Sequence, residues 1–171
     1  MKNKIIILIL SIGFLSFSCK SLKYTKEENL KAIKMPFQEK DYPDSEKEFY
    51  SIQNAKGTNM NINRNRVLMA AKTDLSGKIK TIISTIANQE LEFDNSNESE
   101  SFDNKATSIS QQSMVKIVKI DSKTFREKDG DKYDYWAVYK VELDDVINLI
   151  NDSNLGFIVD SDSFYNASLN N

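Results

Sequence analysis

Apolar positions recur along this chain with two different periods, and the change of period divides it into elements. From about Asn61 to Leu91, the residues Val67, Leu68, Ala71, Leu75, Ile79, Ile82, Ile83 and Ile86 follow one another at short steps, mostly of three and four. That is the spacing of one face of a helix, so a single long amphipathic helix is predicted there. Gly77 falls inside it, where glycine costs about 1 kcal/mol relative to alanine, and marks either close packing or a weak point. Arg64, Lys72, Lys78 and Lys80 lie on the polar side and read as a solvated face. Tyr133, Tyr135, Ala137, Tyr139, Val141 and Leu143 alternate instead with period two. Such alternation belongs to a strand with one side on a core, and this side is expected to lie under the long helix.

Further elements follow from shorter patterns. Glu48 to Ala55 mixes aromatic and branched residues and is closed by Gly57, which predicts one strand. Met114 to Phe125 and Lys132 to Leu143 read as two strands joined through Asp129-Gly130, a pair suited to a tight hairpin turn. A second helix is expected over about Ser101 to Ser113, a short one over residues 26–35 ending at Pro36, and another from Asp144 to Ile150. The expected fold class is α+β: a small antiparallel sheet of about three strands with the long helix and the second helix packed on one face. The opposite face of the last strand carries Trp136 and Val138 between Asp134 and Lys140, and its partner strand has apolar residues on both sides, including Val115, Ile117, Val118 and Ile120. Both faces of the sheet therefore need cover. Either Asp144 to Ile150 with Phe157, Ile158, Val159, Phe164 and Tyr165 supplies it, or Trp136 and Val138 form a partner face for a second copy or an envelope protein.

The N-terminus has the layout of an export signal. Lys2 and Lys4 precede an apolar run from Ile5 to Phe17, which as a helix reaches roughly 20 Å and falls short of a hydrocarbon core of about 30 Å. The run closes on Leu15-Ser16-Phe17-Ser18-Cys19, with the chain's one cysteine directly after a small residue. This resembles the lipobox of bacterial lipoproteins, although Leu15 stands four rather than three positions before the cysteine. The resemblance implies cleavage before Cys19 and lipid attached to its sulfur, which would anchor the chain to a membrane. Four segments are thus expected: signal peptide 1–18, lipidated cysteine and tether 19–45, an α+β domain 46–150, and a C-terminal tail 151–171 packing on the domain. Six lysines against three acidic residues between Lys20 and Lys40 suit either a solvated linker or contact with anionic headgroups.

Composition narrows the chemistry. A chain of 171 residues, 40% hydrophobic and 28% charged, makes one globular domain with appendages. It contains no histidine, and lipidation would consume its one thiol. An imidazole base, an imidazole zinc ligand, a cysteine nucleophile and an internal disulfide are then excluded. The neighbours Ser76 and Lys78, and Ser122 and Lys123, lie in no nucleophile motif, so helix or strand surface is the better reading and no catalytic residue is assigned. Asp94-Asn95-Ser96-Asn97-Glu98 alternates oxygen ligands, but the loop glycine is replaced by Ser99 and the closing acid by Lys105, so no calcium loop and no metal is expected. No cofactor is implied. Nucleic acid is not an expected partner, because removal of Lys2 and Lys4 makes a chain of net charge −2 still more acidic and its lysines form no aromatic-interleaved stripe.

The segment Met35-Pro36-Phe37, the pair Phe49-Tyr50, the run Val67-Leu68-Met69-Ala70-Ala71 and the aromatic strand Tyr133 to Val141 together resemble the LPP-twenty family of small outer-membrane lipoproteins, over roughly residues 36–143. The resemblance implies helices on one side of an antiparallel sheet, no enzyme activity, and kinship with structural components of envelope assemblies. The expected function is a lipid-anchored envelope lipoprotein with a binding or structural role. A hydrolase using serine, lysine or carboxylates, or a small-ligand-binding lipoprotein, is the alternative. Lys20 and Ser21 follow the cysteine, so no acidic residue signals retention or display, and the outer membrane with the domain facing the periplasm is expected.

Overall fold

The computed structural model describes residues 35–91, 96–126 and 130–169. The predicted signal peptide, Cys19, the tether up to residue 34, the short helix predicted at 26–35 except Met35, Asp94 and Asn95 of the acidic stretch, and Asp129 of the predicted turn lie outside them. A single 3-10 turn, Glu39–Asp41, precedes strand β1, Glu48–Gly57. Helix α1 spans Met60–Glu90, helix α2 Ser96–Ser113, strand β2 Val118–Arg126, strand β3 Tyr133–Glu142, helix α3 Leu143–Asp152 and helix α4 Ser161–Leu169. The fold is α+β.

The three strands form one antiparallel sheet in the order β1-β3-β2. Sequence neighbours β2 and β3 pair as expected, while β1 takes the other side of β3, from Glu48 opposite Glu142 to Gly57 opposite Tyr133. The alternation read in β3 is real: Tyr135, Ala137, Tyr139 and Val141, with Leu143 beyond the strand, are all at most 6% exposed and belong to the main core. The helical periodicity holds as well, with Val67, Ala71, Leu75, Ile79, Ile82, Ile83 and Ile86 buried in the same core. Each valine, leucine or isoleucine side chain among them stabilises the fold by about 1.5–3 kcal/mol when fully buried.

The start of α1 is set locally. Asn59 keeps extended backbone angles and its side chain accepts from the amides of Asn61 and Ile62, satisfying donors that a first turn leaves open. One turn in, buried Asn63 donates through Nδ2 to the carbonyls of Gly57 and Tyr133, both at 3.1 Å. The helix is thereby clipped to the end of β1 and the start of β3. A side chain at Gly57 would place its Cβ 2.8 Å from Asn63 Oδ1, so glycine there is a requirement of close approach.

Two boundaries differ from expectation. Strand β2 begins at Val118, because residues 114–116 continue as a turn from α2, with the amides of Met114 and Val115 bonded to the carbonyls of Gln111 and Gln112. Met114 is buried there as a helix-end residue, not as a strand residue. Described residues ahead of Glu46 also belong to the folded body, since Phe37 is buried and Asp44 bonds to Tyr50 and Lys78.

That early start answers what covers the second face of the sheet. Phe37 is 4% exposed; its ring lies 4.9 Å from Lys123 Nζ of β2, and 6.0 Å from Tyr42, whose ring is 5.8 Å from Tyr50 of β1. The segment 36–42 therefore crosses from β2 to β1 over β3, above Val138. The C-terminal elements do not take this role: Val146, Ile147, Ile150, Val159 and Phe164 join the core on the helical side, while Ile158 is 89% exposed. Helix α4 packs against α1 and α3, with Phe164 and Ala167 buried in the core.

On the same covered face, Glu48 accepts from Tyr50 and from Lys140, which also pairs with Glu142 at 3.1 Å. The Lys140 and Tyr50 hydrogen bonds hold the Glu48 carboxyl below its usual range, and Glu48 with Glu142 raises Lys140 above its own. A lowered carboxyl stabilises the fold above the ordinary value of 4.5 and ceases to do so as pH falls through the folded value. The raised lysine acts in the opposite window, losing its contribution as pH climbs past 10.5. Lys140→Met is expected to flatten the acid limb of a plot of urea midpoint against pH below about pH 5, relative to wild type. An unchanged acid limb would show the cluster to be decorative.

Strand β2 is one of the two edges of the sheet and is exposed along most of its length. It carries Lys119, Lys123 and Arg126 and a bulge between Lys119 and Asp121. Edge lysines and bulges discourage the addition of a foreign strand. Replacing both Lys119 and Lys123 with valine is expected to produce concentration-dependent self-association in light scattering where the wild-type domain shows none through this edge.

Candidate binding cleft

A hollow with both charged and apolar lining lies between α1, α4 and the loop before β1. It has a volume of about 560 Å³ and is lined by Phe49, Gly77, Lys78, Ile82, Asp44 and Asp74, with Thr73, Thr81, Tyr165, Ser168 and Leu169 completing its walls. Its α1 wall is one stretch of helix surface, where Asp74 and Lys78 stand at i and i+4 with Gly77 between them. A Cβ at Gly77 would meet nothing within 4 Å. Close packing is thus not the reason for this glycine; it leaves the floor of the cleft bare. Gly77→Ala is expected to stabilise the protein by about 1 kcal/mol through helix propensity, seen as a higher urea midpoint.

The α4 wall is built from the C-terminal segment. Asp160 caps this helix by accepting from the amide of Ser163 at 2.7 Å, and that hydrogen bond holds its carboxyl below the ordinary range. Buried Phe164 anchors the helix by stacking on Phe49, ring centroids 6.1 Å apart. The loop before it turns through positive φ at Asn154 and Gly156 and is stapled by Asn151, whose amide both donates to and accepts from the Val159 backbone at 2.9 Å.

The charged groups are held by the protein's own bonds. Lys78 Nζ donates to Asp44 Oδ2 at 2.8 Å and to the carbonyl of Tyr50 at 2.9 Å. Asp44 Oδ1 in turn accepts from the Tyr50 amide at 2.7 Å. Asp74 Oδ2 accepts from the Ser51 hydroxyl at 2.6 Å, and Ser51 also accepts from Gln53. A second hollow of about 480 Å³, lined by Glu39, Tyr42 and Ile52 among others, shares Asp44, Asp74 and Lys78 with the first. The Asp44–Lys78 bridge therefore lines two neighbouring recesses.

Reading α1 as a solvated cationic face missed this site. Lys78 is bound into the cleft, Lys80 pairs with Asp103 of α2 at 2.9 Å, and Arg64 lies 5.8 Å from the Tyr135 ring. One sequence signal was available: a glycine flanked by Asp74 and Lys78 on the polar side of an otherwise regular helix. Asp44 carried none, since its role depends on a loop folding back on α1.

The residues singled out from the sequence are placed elsewhere. Val138 is fully buried beneath the 36–42 segment and closed to any partner, while Trp136 remains half-buried. The exposed apolar residues near that face are Val118, Ile120 and Phe125 of β2. Ser76 donates to Ser110 of α2 at 3.1 Å while Lys78 binds Asp44, so those two are not brought together. Lys123 lies over Phe37 and donates to the Pro36 carbonyl; neighbouring Ser122 pairs opposite Ala137, on the other face of the strand. Among the described residues no group of three or more His, Cys, Asp or Glu is placed to hold a metal ion, and no helix is long and apolar enough to cross a membrane. Cys19 lies outside the described residues. Against known proteins, no family profile, no curated protein and no solved structure matches this chain.

Proposed function

We propose that this chain is a lipid-anchored lipoprotein of the bacterial cell envelope, held in the outer membrane with its domain on the periplasmic side, and that the domain works by binding. The observation that carries binding is the cleft, where a bare floor at Gly77 lies beside Asp74 and Lys78, both fixed by internal hydrogen bonds. Such preorganisation lowers the ordering cost of taking up a ligand. Ser51, the serine nearest these charges, is 2% exposed and gives its hydroxyl proton to Asp74, an arrangement that suits positioning and not attack on a substrate. Cys19 at the end of the apolar run supports the anchor. The likeness to LPP-twenty lipoproteins points the same way and adds an envelope assembly as the setting, with a second copy or another envelope protein as partner.

Detergent-phase partition and intact-mass spectrometry of protein from its own membranes test the anchor. Wild type is expected to carry diacylglycerol on Cys19, and Cys19→Ser to lose it. A water-soluble wild type with a free thiol would overturn the anchor, and removal of the domain by protease on intact cells would overturn the periplasmic placement. Binding is tested by screening a broad small-molecule library against the lipidated chain by NMR, with Gly77→Leu as the blocked control. A screen without one hit abolished by that control would sink the binding role.

A further inference from the structure

The hydrogen-bond inventory of the cleft is lopsided. Thr73 and Thr81 give their hydroxyl protons to the carbonyls of Met69 and Gly77 in their own helix, at 3.0 and 2.9 Å. Ser168 gives its proton to the carbonyl of Tyr165 at 2.6 Å, and the Tyr165 hydroxyl points its own at the carbonyl of Asp44. Every one of these hydroxyls keeps acceptor lone pairs and has spent its donor. Asp74 Oδ1, an acceptor only, carries no hydrogen bond among the described residues, because the Ser51 bond goes to Oδ2. On the donor side stands one proton of Lys78, the other two being committed to Asp44 and Tyr50.

Charge leans the same way. Lys78 is neutralised by Asp44 in direct contact, which leaves the Asp74 carboxylate as the net charge of the lining. The ring of Tyr165 in the wall favours a cation over an anion of the same shape, and Ile82 and Leu169 accept an apolar body. We propose that the cleft binds an organic ammonium ion, its N–H groups on Asp74 and the hydroxyl oxygens of α1, its apolar part over Gly77 and Ile82. This rests on the reading of the domain as a binding protein and names the class of ligand.

The test uses the lipidated full chain in detergent, titrated calorimetrically with phenethylammonium and, separately, with 3-phenylpropanoate, which carries a carboxylate where the first carries an ammonium. The ammonium is expected to bind and the carboxylate not. Asp74→Asn, whose side-chain oxygen still accepts from Ser51, is expected to weaken the ammonium by about tenfold or more. Gly77→Leu fills open space, so it is expected to abolish binding with no loss of melting temperature. Preference for the carboxylate, or ammonium binding indifferent to both substitutions, would overturn the proposal. Absence of binding by either probe at millimolar concentration would overturn it too. Carboxylate binding that Gly77→Leu blocks would defeat the ammonium alone and leave the binding role standing, whereas a library screen without a blocked hit defeats the role itself.

Discussion

Asn63→Asp is expected to destabilise the domain by about 3–5 kcal/mol, enough to leave a small domain of ordinary stability largely unfolded. Asn63 is 1% exposed, and its amide nitrogen serves the carbonyls of Gly57 and Tyr133 together. A carboxylate of the same shape has no donor to offer. It would face two carbonyl oxygens at hydrogen-bond distance and would fold only by taking up a proton, which itself could serve only one of them. The amide's orientation follows from the same network, since the flipped form would set oxygen against both carbonyls. Asn63 Oδ1 has no hydrogen-bond partner among the described residues and lies 2.8 Å from where a Cβ at Gly57 would stand. Urea denaturation of the variant measures the loss, which is expected to shrink below the pH at which the new carboxyl protonates. A midpoint within experimental error of wild type would show that the clip contributes nothing.

Phe164→Ala is expected to cost about 3–5 kcal/mol by emptying a site with no solvent exposure beside Phe49. Its consequences reach the cleft. Phe164 is the anchor of α4, and Tyr165, Ser168 and Leu169 of that helix form one wall. Loss of the anchor should free the wall before the rest of the fold yields, because α4 is a short helix of nine residues. Amide exchange is expected to accelerate across residues 161–169 more than across α1, and binding in the cleft to weaken in proportion. Uniform acceleration would mean that α4 and the sheet unfold as one unit.

The elements legible in the sequence are those whose signal is local. Asn61 to Leu91 repeats its apolar residues often enough for only a helix to gather them on one side, and Tyr133 to Leu143 alternates long enough for only a strand to do so. The β2–β3 pairing was legible because its two strands are adjacent. Met114 and Val115 were misassigned because a short apolar run does not distinguish a strand from the end of a helix, and the hydrogen bonds back to Gln111 and Gln112 decide it. Phe37 is illegible as a core residue in the sequence, because one aromatic residue in a lysine-rich stretch has no periodicity to declare it buried.

The sequence by itself determined the class of fold, the inward faces of α1 and β3, the adjacent strand pair and the absence of histidine chemistry, since each follows from residue type and spacing along one stretch of chain. Tertiary structure alone decided that β1 joins β3, that residues 36–42 close the second face over Val138, and that Asp44 reaches Lys78 to open a cleft above Gly77. These contacts join residues far apart in the chain. No local pattern encodes them, because the entropy of closing such loops is overcome only when many distant surfaces bury one another at once.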